Sequence, residues 1–208
     1  MNWWIWGTAL LVWVAFRAWY DNWRGPVTKA EVDAYFRAIA GTPTAEHNDV
    51  DAMRRFLEKD DGREFVMVNL VKVNPGQVRH PETGEMVPGP SMMQAYAKAF
   101  LPHLFRRAGH PAVVSRKIGP YIDAWNTAPD PGWTVLGYTR YRSRRDLMAL
   151  SQHPVFLAMH PFKMAGLAET YSFPSRPMTL TYVTPRVWVT LLILVVAEAA
   201  QITALLLR

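Results

Sequence analysis

The chain contains no cysteine, so a disulfide framework, thiolate metal sites, iron–sulfur clusters and a cysteine nucleophile are all excluded. Charge is scarce: Asp, Glu, Lys and Arg make up 19% of the 208 residues, against 50% apolar residues. That balance is too apolar for a disordered chain, and the length suffices for a domain with its own core. There is also no glycine-rich phosphate loop, no paired-carboxylate acid–base signature and no nucleophile–base pair at a readable spacing. These absences favour a non-catalytic role over an enzyme. What is abundant is aromatic: nine Trp, eight Tyr and nine Phe. Such a load suits the interfacial belts of a membrane protein.

The apolar residues concentrate at the two ends. No charge occurs from Trp3 to Phe16, and the run continues past Arg17 to Tyr20. As a helix rising about 1.5 Å per residue, this segment covers roughly 27 Å, close to the thickness of a bilayer core. Trp3, Trp4 and Trp6 crowd one end and Trp19 and Trp23 the other, as interface anchors do. A cleaved signal peptide fits less well, because no Lys or Arg precedes the run and no small-x-small cleavage site follows it. The second run, Val187 to Leu207, holds a single charge, Glu198. Two membrane-spanning helices are therefore expected, at 1–24 and 186–208, around a helical lead-in at 25–62 and a domain at 63–185. Arg17, Arg24, Lys29, Arg37, Arg176 and Arg186 lie beside the inner ends of both spans. Basic residues favour the cytoplasmic side, which predicts an inner-membrane protein crossing twice, its domain in the cytoplasm and both termini opposite. The middle segment stays net positive, as suits a surface near anionic lipid headgroups. Its densest basic run, Arg140, Arg142, Arg144 and Arg145, lacks interleaved stacking aromatics, so it reads as a solvated helix start and no nucleic-acid partner is expected.

Within the middle segment, Thr28–Ala40 and Asp49–Lys59 read as helices, the first with Thr28 and Glu31 at capping-box spacing. Residues 64–73 read as a strand apolar on both faces, with Phe65, Met67 and Val71 on one and Val66, Val68 and Leu70 on the other. Pro and Gly clusters make 74–90 a long loop. A helix at 91–108 opens on a second capping-box pair, Ser91 and Gln94, and Pro102 is expected to kink or split it. Strands follow at 113–118 and 133–141, then helices from Ser143 and from Pro154 toward Ala168, and a last strand at 179–183. The order β-α-β-β-α-β predicts an α+β, ferredoxin-like domain: four antiparallel strands with two helices on one face. The bare sheet face then invites pairing, as in a homodimer.

Three segments carry a resemblance: Met67–Val73, the helix over 92–109, and 141–170. They resemble an uncharacterised branch of the dimeric α+β barrel proteins. Asn69, Tyr96, Tyr141, Ser143 and Arg144 match that branch's pattern. Arg142 stands where the branch has Pro, and its late His-Arg pair is loosened to His160 and Lys163 around Pro161. The resemblance covers about half of the chain, and the two end helices lie outside it. It implies a dimeric barrel fold. Relatives in the wider superfamily include monooxygenases, isomerising, dehalogenating and haem-handling enzymes, so no single reaction is implied.

Histidine is the natural place to seek a metal. His80, His110, His153 and His160 each precede Pro, and no further ligand sits at helical spacing from them, so neither metal nor cofactor is expected. Asn69 is a polar residue inside an apolar strand and needs a partner, either a ligand or a neighbour. Tyr96, Tyr138, Arg140 and His160 are the residues expected to join it around a pocket. Glu198 falls roughly 16 Å along its span, near mid-membrane, where an ionisable side chain costs about 2.5–3.5 kcal/mol and marks a functional site by default. Thr190, Ala197, Gln201 and Ala204 form a small and polar stripe of the kind that packs against other helices, with Thr8 at similar depth on the first span. The leading expectation is an accessory or assembly subunit, docked through its helices to integral membrane subunits of a larger complex, respiratory or photosynthetic, and covering its cytoplasmic face. The alternative is a membrane-tethered enzyme or binding protein for a hydrophobic small molecule, monooxygenase- or isomerase-like.

Overall fold

The computed structural model describes residues 2–127, 130–179 and 183–207. The chain divides into two compact units, one made from both ends (Met1–Trp23 with Pro177–Arg208) and one from the middle (Arg24–Arg176).

The end unit is a pair of helices, α1 (Trp3–Tyr20) and α8 (Pro185–Leu206). Their contacts run in opposite chain directions, so the pair is antiparallel. The Asn2 backbone N–H donates to Gln201 Oε1 at 2.9 Å, the Trp13 indole N–H to Thr190 Oγ1 at 3.0 Å, and Arg186 Nε to Asp21 Oδ1 at 2.7 Å. Arg17 also pairs with Asp21, one turn along α1. Ile5, Tyr20, Ala197 and Gln201 are buried between the helices, and the remaining apolar side chains mostly face outward. Among the described residues one helix, Pro185–Leu206, is long and apolar enough to cross a membrane. Helix α1 is equally continuous, but its indoles and Arg17 make it less apolar.

In the middle unit, α2 (Lys29–Ile39) opens on a complete capping box between Thr28 and Glu31. A short helix, α3 (Pro43–Glu46), leads to α4 (Val50–Glu58), whose N-cap Asp49 accepts from the Ala52 N–H. The sheet contains β1 (Phe65–Val73), β4 (His110–Arg116), β5 (Val135–Tyr141) and β6 (Leu167–Ser175), in the spatial order β4-β5-β1-β6 with every neighbour antiparallel. Helix α5 (Gly89–Arg106) connects the first two of these strands; α6 (Arg144–Ser151) and α7 (Pro154–Gly166) connect the last two. This is the ferredoxin-like arrangement.

Four local expectations are corrected. The stretch 74–90 is not a plain loop, because Gln77–Arg79 (β2) and Met86–Pro88 (β3) pair as a small hairpin. The Ser91–Gln94 capping box does not form: α5 starts at Gly89, and the Ser91 hydroxyl donates to the Pro88 carbonyl instead. Pro102 lies in the last turn and a half of α5, which runs through it unbroken. The fourth strand of the sheet is Leu167–Ser175, where a helix end and loop were expected; residues 180–182 of the expected strand lie outside the described residues. The strand is a mostly exposed edge strand that follows α7 without a break and carries Pro174, which weakens its signal as a strand.

Helices α2 and α4 pack Val32, Tyr35, Ile39 and Leu57 against Met148 of α6. A second cluster joins Phe65, Leu104, Tyr141 and Leu150 between sheet and helices. Helices α5 and α7 approach closely at Gly166, where an added Cβ would stand 2.9 Å from Met93 Cγ and 3.1 Å from the Met93 backbone nitrogen. No larger residue fits that crossing without moving α5.

Candidate functional site

Strand alternation and helix periodicity aim one set of side chains into the space between sheet and helices. Met67 and Asn69 of β1 lie on one face of the sheet, paired across to Thr139 and Gly137 of β5, with Tyr141 opposite Phe65. Tyr96 and Phe100 stand one turn apart on α5, and Phe156 and Lys163 two turns apart on α7. Together they line a partly open cavity of about 370 Å³. Ligand sites typically run from about 300 to 1,000 Å³, so a small organic molecule fits.

The walls are aromatic and thioether. Tyr96 stacks on Phe100 with centroids 5.6 Å apart, and Phe156 stands edge-on to both, at 6.3 and 6.0 Å. Tyr141 stacks on Phe65 at 5.2 Å. Met53, Met67 and Met93 line it too, beside aliphatic side chains such as Val71, Leu101 and Leu147.

The polar groups on the walls divide into two sets. One set is spoken for. Asn69 Nδ2 donates to the Met67 carbonyl at 3.1 Å, and Asn69 Oδ1 accepts from the Ser172 hydroxyl at 2.8 Å. Ser151 bonds Tyr35 at 2.9 Å and donates to the Met148 carbonyl, while Thr44 donates to the Ser151 carbonyl. The other set is Lys163, Tyr96 and Tyr141, whose polar atoms have no hydrogen bond or ion pair among the described residues. Burial in apolar surroundings pushes the Lys163 amine below its ordinary range and both phenols above theirs. The phenols therefore stay protonated and able to donate. Among the described residues no Asp, Glu, Arg or His lines the cavity, and Lys163 is the one basic side chain there.

Of the residues expected around a pocket, Asn69 and Tyr96 line the cavity. Tyr138 and Arg140 do not: they pair with Val68 and Val66 and so lie on the opposite sheet face. Arg140 is buried, bonding Glu64 Oε2 through Nε at 2.9 Å and Nη2 at 2.5 Å, and the Ala108 carbonyl through Nη1 at 2.5 Å. His160 is buried on α7 outside the cavity lining, its ring 5.1 Å from that of His47. Neither ring nitrogen of His160 has a partner, and burial, helped by nearby Lys163 and His47, holds its pKa below the usual histidine range. Among the described residues no three His, Asp or Glu side chains converge as metal ligands.

In the helix pair, Ala197 and Gln201 face α1, Thr190 accepts from Trp13, and Ala204 is half-buried. Thr8 is exposed and donates to the Trp4 carbonyl. Trp3, Trp4, Trp19 and Trp23 are exposed, whereas the Trp6 indole N–H is buried without a partner. Glu198 is exposed on α8, with no hydrogen bond or ion pair to the described residues.

Sequence reasoning missed Lys163, Tyr141, Phe100 and Phe156 as cavity residues. A signal for three of them was present. Phe156 and Lys163 lie seven apart, and Tyr141 alternates with Thr139 on a strand next to β1.

No protein-family model matches this sequence, and no curated protein matches it significantly. Solved structures do match. The RPA0582 protein of unknown function from Rhodopseudomonas palustris is similar over 64% of this chain and 96% of its own, at 17% identity and a TM-score of 0.54. Its methylated form gives 18% identity, 65% and 96% coverage and the same TM-score. A dimeric protein of unknown function with a ferredoxin-like fold, from Bacteroides fragilis, matches more distantly, at 12% identity over 55% of this chain and 96% of its own, with a TM-score of 0.33. At such identities the Rhodopseudomonas likeness establishes the fold alone.

Proposed function

We propose that this protein is a membrane-attached binding protein for a small amphipathic molecule, held in the cavity between the sheet and α5 and α7. The observation that carries the reading is the pairing of an apolar cavity of about 370 Å³ with polar side chains that the protein leaves unpartnered. Ligand sites are concave and mostly apolar, with a few polar groups that orient the occupant, and this cavity has that make-up. Attachment through α1 and α8 would keep the cavity close to the phase into which apolar molecules partition. In this reading both helices span the bilayer. Their antiparallel pairing puts both termini on one side, and the flanking basic residues put the middle unit on the cytoplasmic side. Two copies would pair through the open sheet face, where Tyr171 and Phe173 are exposed on the edge strand.

The test is a methyl NMR titration of the full chain, labelled at methionine and held in phosphatidylcholine nanodiscs, with octanoate and octan-1-ol as probes. Met67 and Met93, which line the cavity, should shift on binding, while exposed Met86 and Met178 stay fixed. Absence of any selective shift with either probe would reject the reading.

A second reading rests on Glu198, an unpaired acid on the outward face of an apolar helix. It would dock a basic or hydrogen-bond-donating side chain of another membrane subunit, in an accessory role. Glu198→Leu should then abolish co-purification with that subunit without unfolding the chain, and undiminished co-purification would end this reading.

A further inference from the structure

Three polar side chains of the cavity make no hydrogen bond or ion pair among the described residues and can donate: an amine on α7 and two phenols, one on α5 and one on β5. Asn48 Oδ1 and the Thr139 hydroxyl on the same walls can accept, but neither is an anion. Asn69 Oδ1 already accepts from Ser172, and Ser151 is bonded to Tyr35. No carboxylate reaches the cavity. A cation without a counter-ion in apolar surroundings is costly, and the cost is relieved by an anion that brings its own acceptors. A neutral alcohol has one hydroxyl and meets one donor. A carboxylate has two oxygens and about four lone-pair sites, enough for an ammonium and a phenol together.

We infer that the cavity is built for a monocarboxylic acid with an apolar body, its carboxylate held by Lys163 with Tyr96 donating, and its body against Phe100 and Phe156. This rests on the binding role proposed above and narrows it to one ligand class. Lys163 is the specificity-determining residue. The groups that face this region are His160, on the same helix, His47 beside it, Tyr96 from α5 and Tyr141 from β5. None of them carries a negative charge at neutral pH, so the ligand alone supplies it.

The experiment compares octanoate with octan-1-ol, which has the same chain length, on the full protein in phosphatidylcholine nanodiscs, reading the Met67 and Met93 methyl signals. Octanoate should bind at least tenfold more tightly than octan-1-ol. Lys163→Met should erase that preference while leaving octan-1-ol affinity within about threefold of the wild type. Tyr96→Phe should lower octanoate affinity several-fold and leave octan-1-ol unchanged. Equal affinity for acid and alcohol in the wild type overturns the inference but leaves the cavity a binding site. A preference for acid that survives in Lys163→Met also overturns it. So does octanal giving a borohydride-reducible adduct on Lys163 with no selectivity for octanoate, since the amine would then be a nucleophile toward carbonyls rather than an anchor. If neither octanoate nor octan-1-ol moves the cavity methionines, the binding role itself falls and this inference with it.

Discussion

The two units treat polarity in opposite ways. The helix pair turns its apolar side chains outward and joins its polar ones between the helices: Asp21 with Arg17 and Arg186, Gln201 with the Asn2 N–H, Thr190 with Trp13. The α+β unit turns its apolar side chains inward, ties its surface charges into pairs such as Arg145–Glu31, and leaves three donors loose around an internal cavity. Glu198 stands out as a carboxyl on the outer face of an apolar helix, and Lys163 as the one basic side chain in the walls of an apolar cavity.

The contrast can be broken most severely by filling the cavity. Ala97 lines it, and Ala97→Phe should reduce octanoate affinity by more than a hundredfold, read by the same methionine methyl titration, with circular dichroism confirming the fold. Removing the buried ion pair on the opposite sheet face should do the reverse. Arg140→Met leaves Glu64 and the Ala108 carbonyl without their partner and should lower unfolding stability by about 3 kcal/mol, the low end for breaking such a pair because Glu64 is partly exposed. Ligand affinity of the folded protein should not change. Denaturant unfolding of the two variants side by side separates the roles of the two sheet faces.

Lys163→Met should act with the opposite sign on stability, raising it by roughly 1 kcal/mol near neutral pH, because it removes an amine that has no partner in apolar surroundings. The pH dependence follows. The folded-state pKa of Lys163 lies below its ordinary value of 10.5, so between those two values the unfolded chain binds the proton and the folded one does not. Stability from this group therefore rises with pH across that window, and Lys163→Met should flatten the slope. The smallest effect belongs to the surface. Hydrogen bonds from Arg145 hold the Glu31 carboxyl down to about 2, from 4.5. Its contribution is present above pH 4.5 and is lost as pH falls toward 2. Glu31→Gln should cost less than about 1 kcal/mol at pH 7 and nothing at pH 2, measured by thermal unfolding at both.

Much of the fold was legible because its signals are local. The capping boxes and caps at Thr28, Asp49 and Ser143, the two-faced strand at 65–73 and the long apolar run at 185–206 each announce themselves within a few residues. The edge strand Leu167–Ser175 was overlooked: Tyr171 and Phe173 alternate with Thr170 and Ser172, but the stretch follows α7 directly and ends on Pro174, so it reads as a helix end and loop. The site was half legible for a related reason. Asn69 and Tyr96 stand out as polar residues in apolar elements. Arg140 stands out equally, yet its sheet face depends on the register with β1, and its partner Glu64 is 76 residues away. Lys163 shares a helix face with Phe156, seven residues earlier, but that this face meets α5 is set by the tertiary packing of α7 on α5 at Gly166.

The most direct measurement is crystallographic: the full chain in lipidic mesophase soaked with 8-bromooctanoate, with the bromine located by its anomalous signal. A single bromine peak inside the cavity beside Phe100 and Phe156, with the carboxylate at hydrogen-bond distance from Lys163 Nζ, is the result predicted. Bromine found only along the outer faces of α1 and α8, with the cavity unoccupied at saturating probe, would contradict the assignment of the cavity as the ligand site.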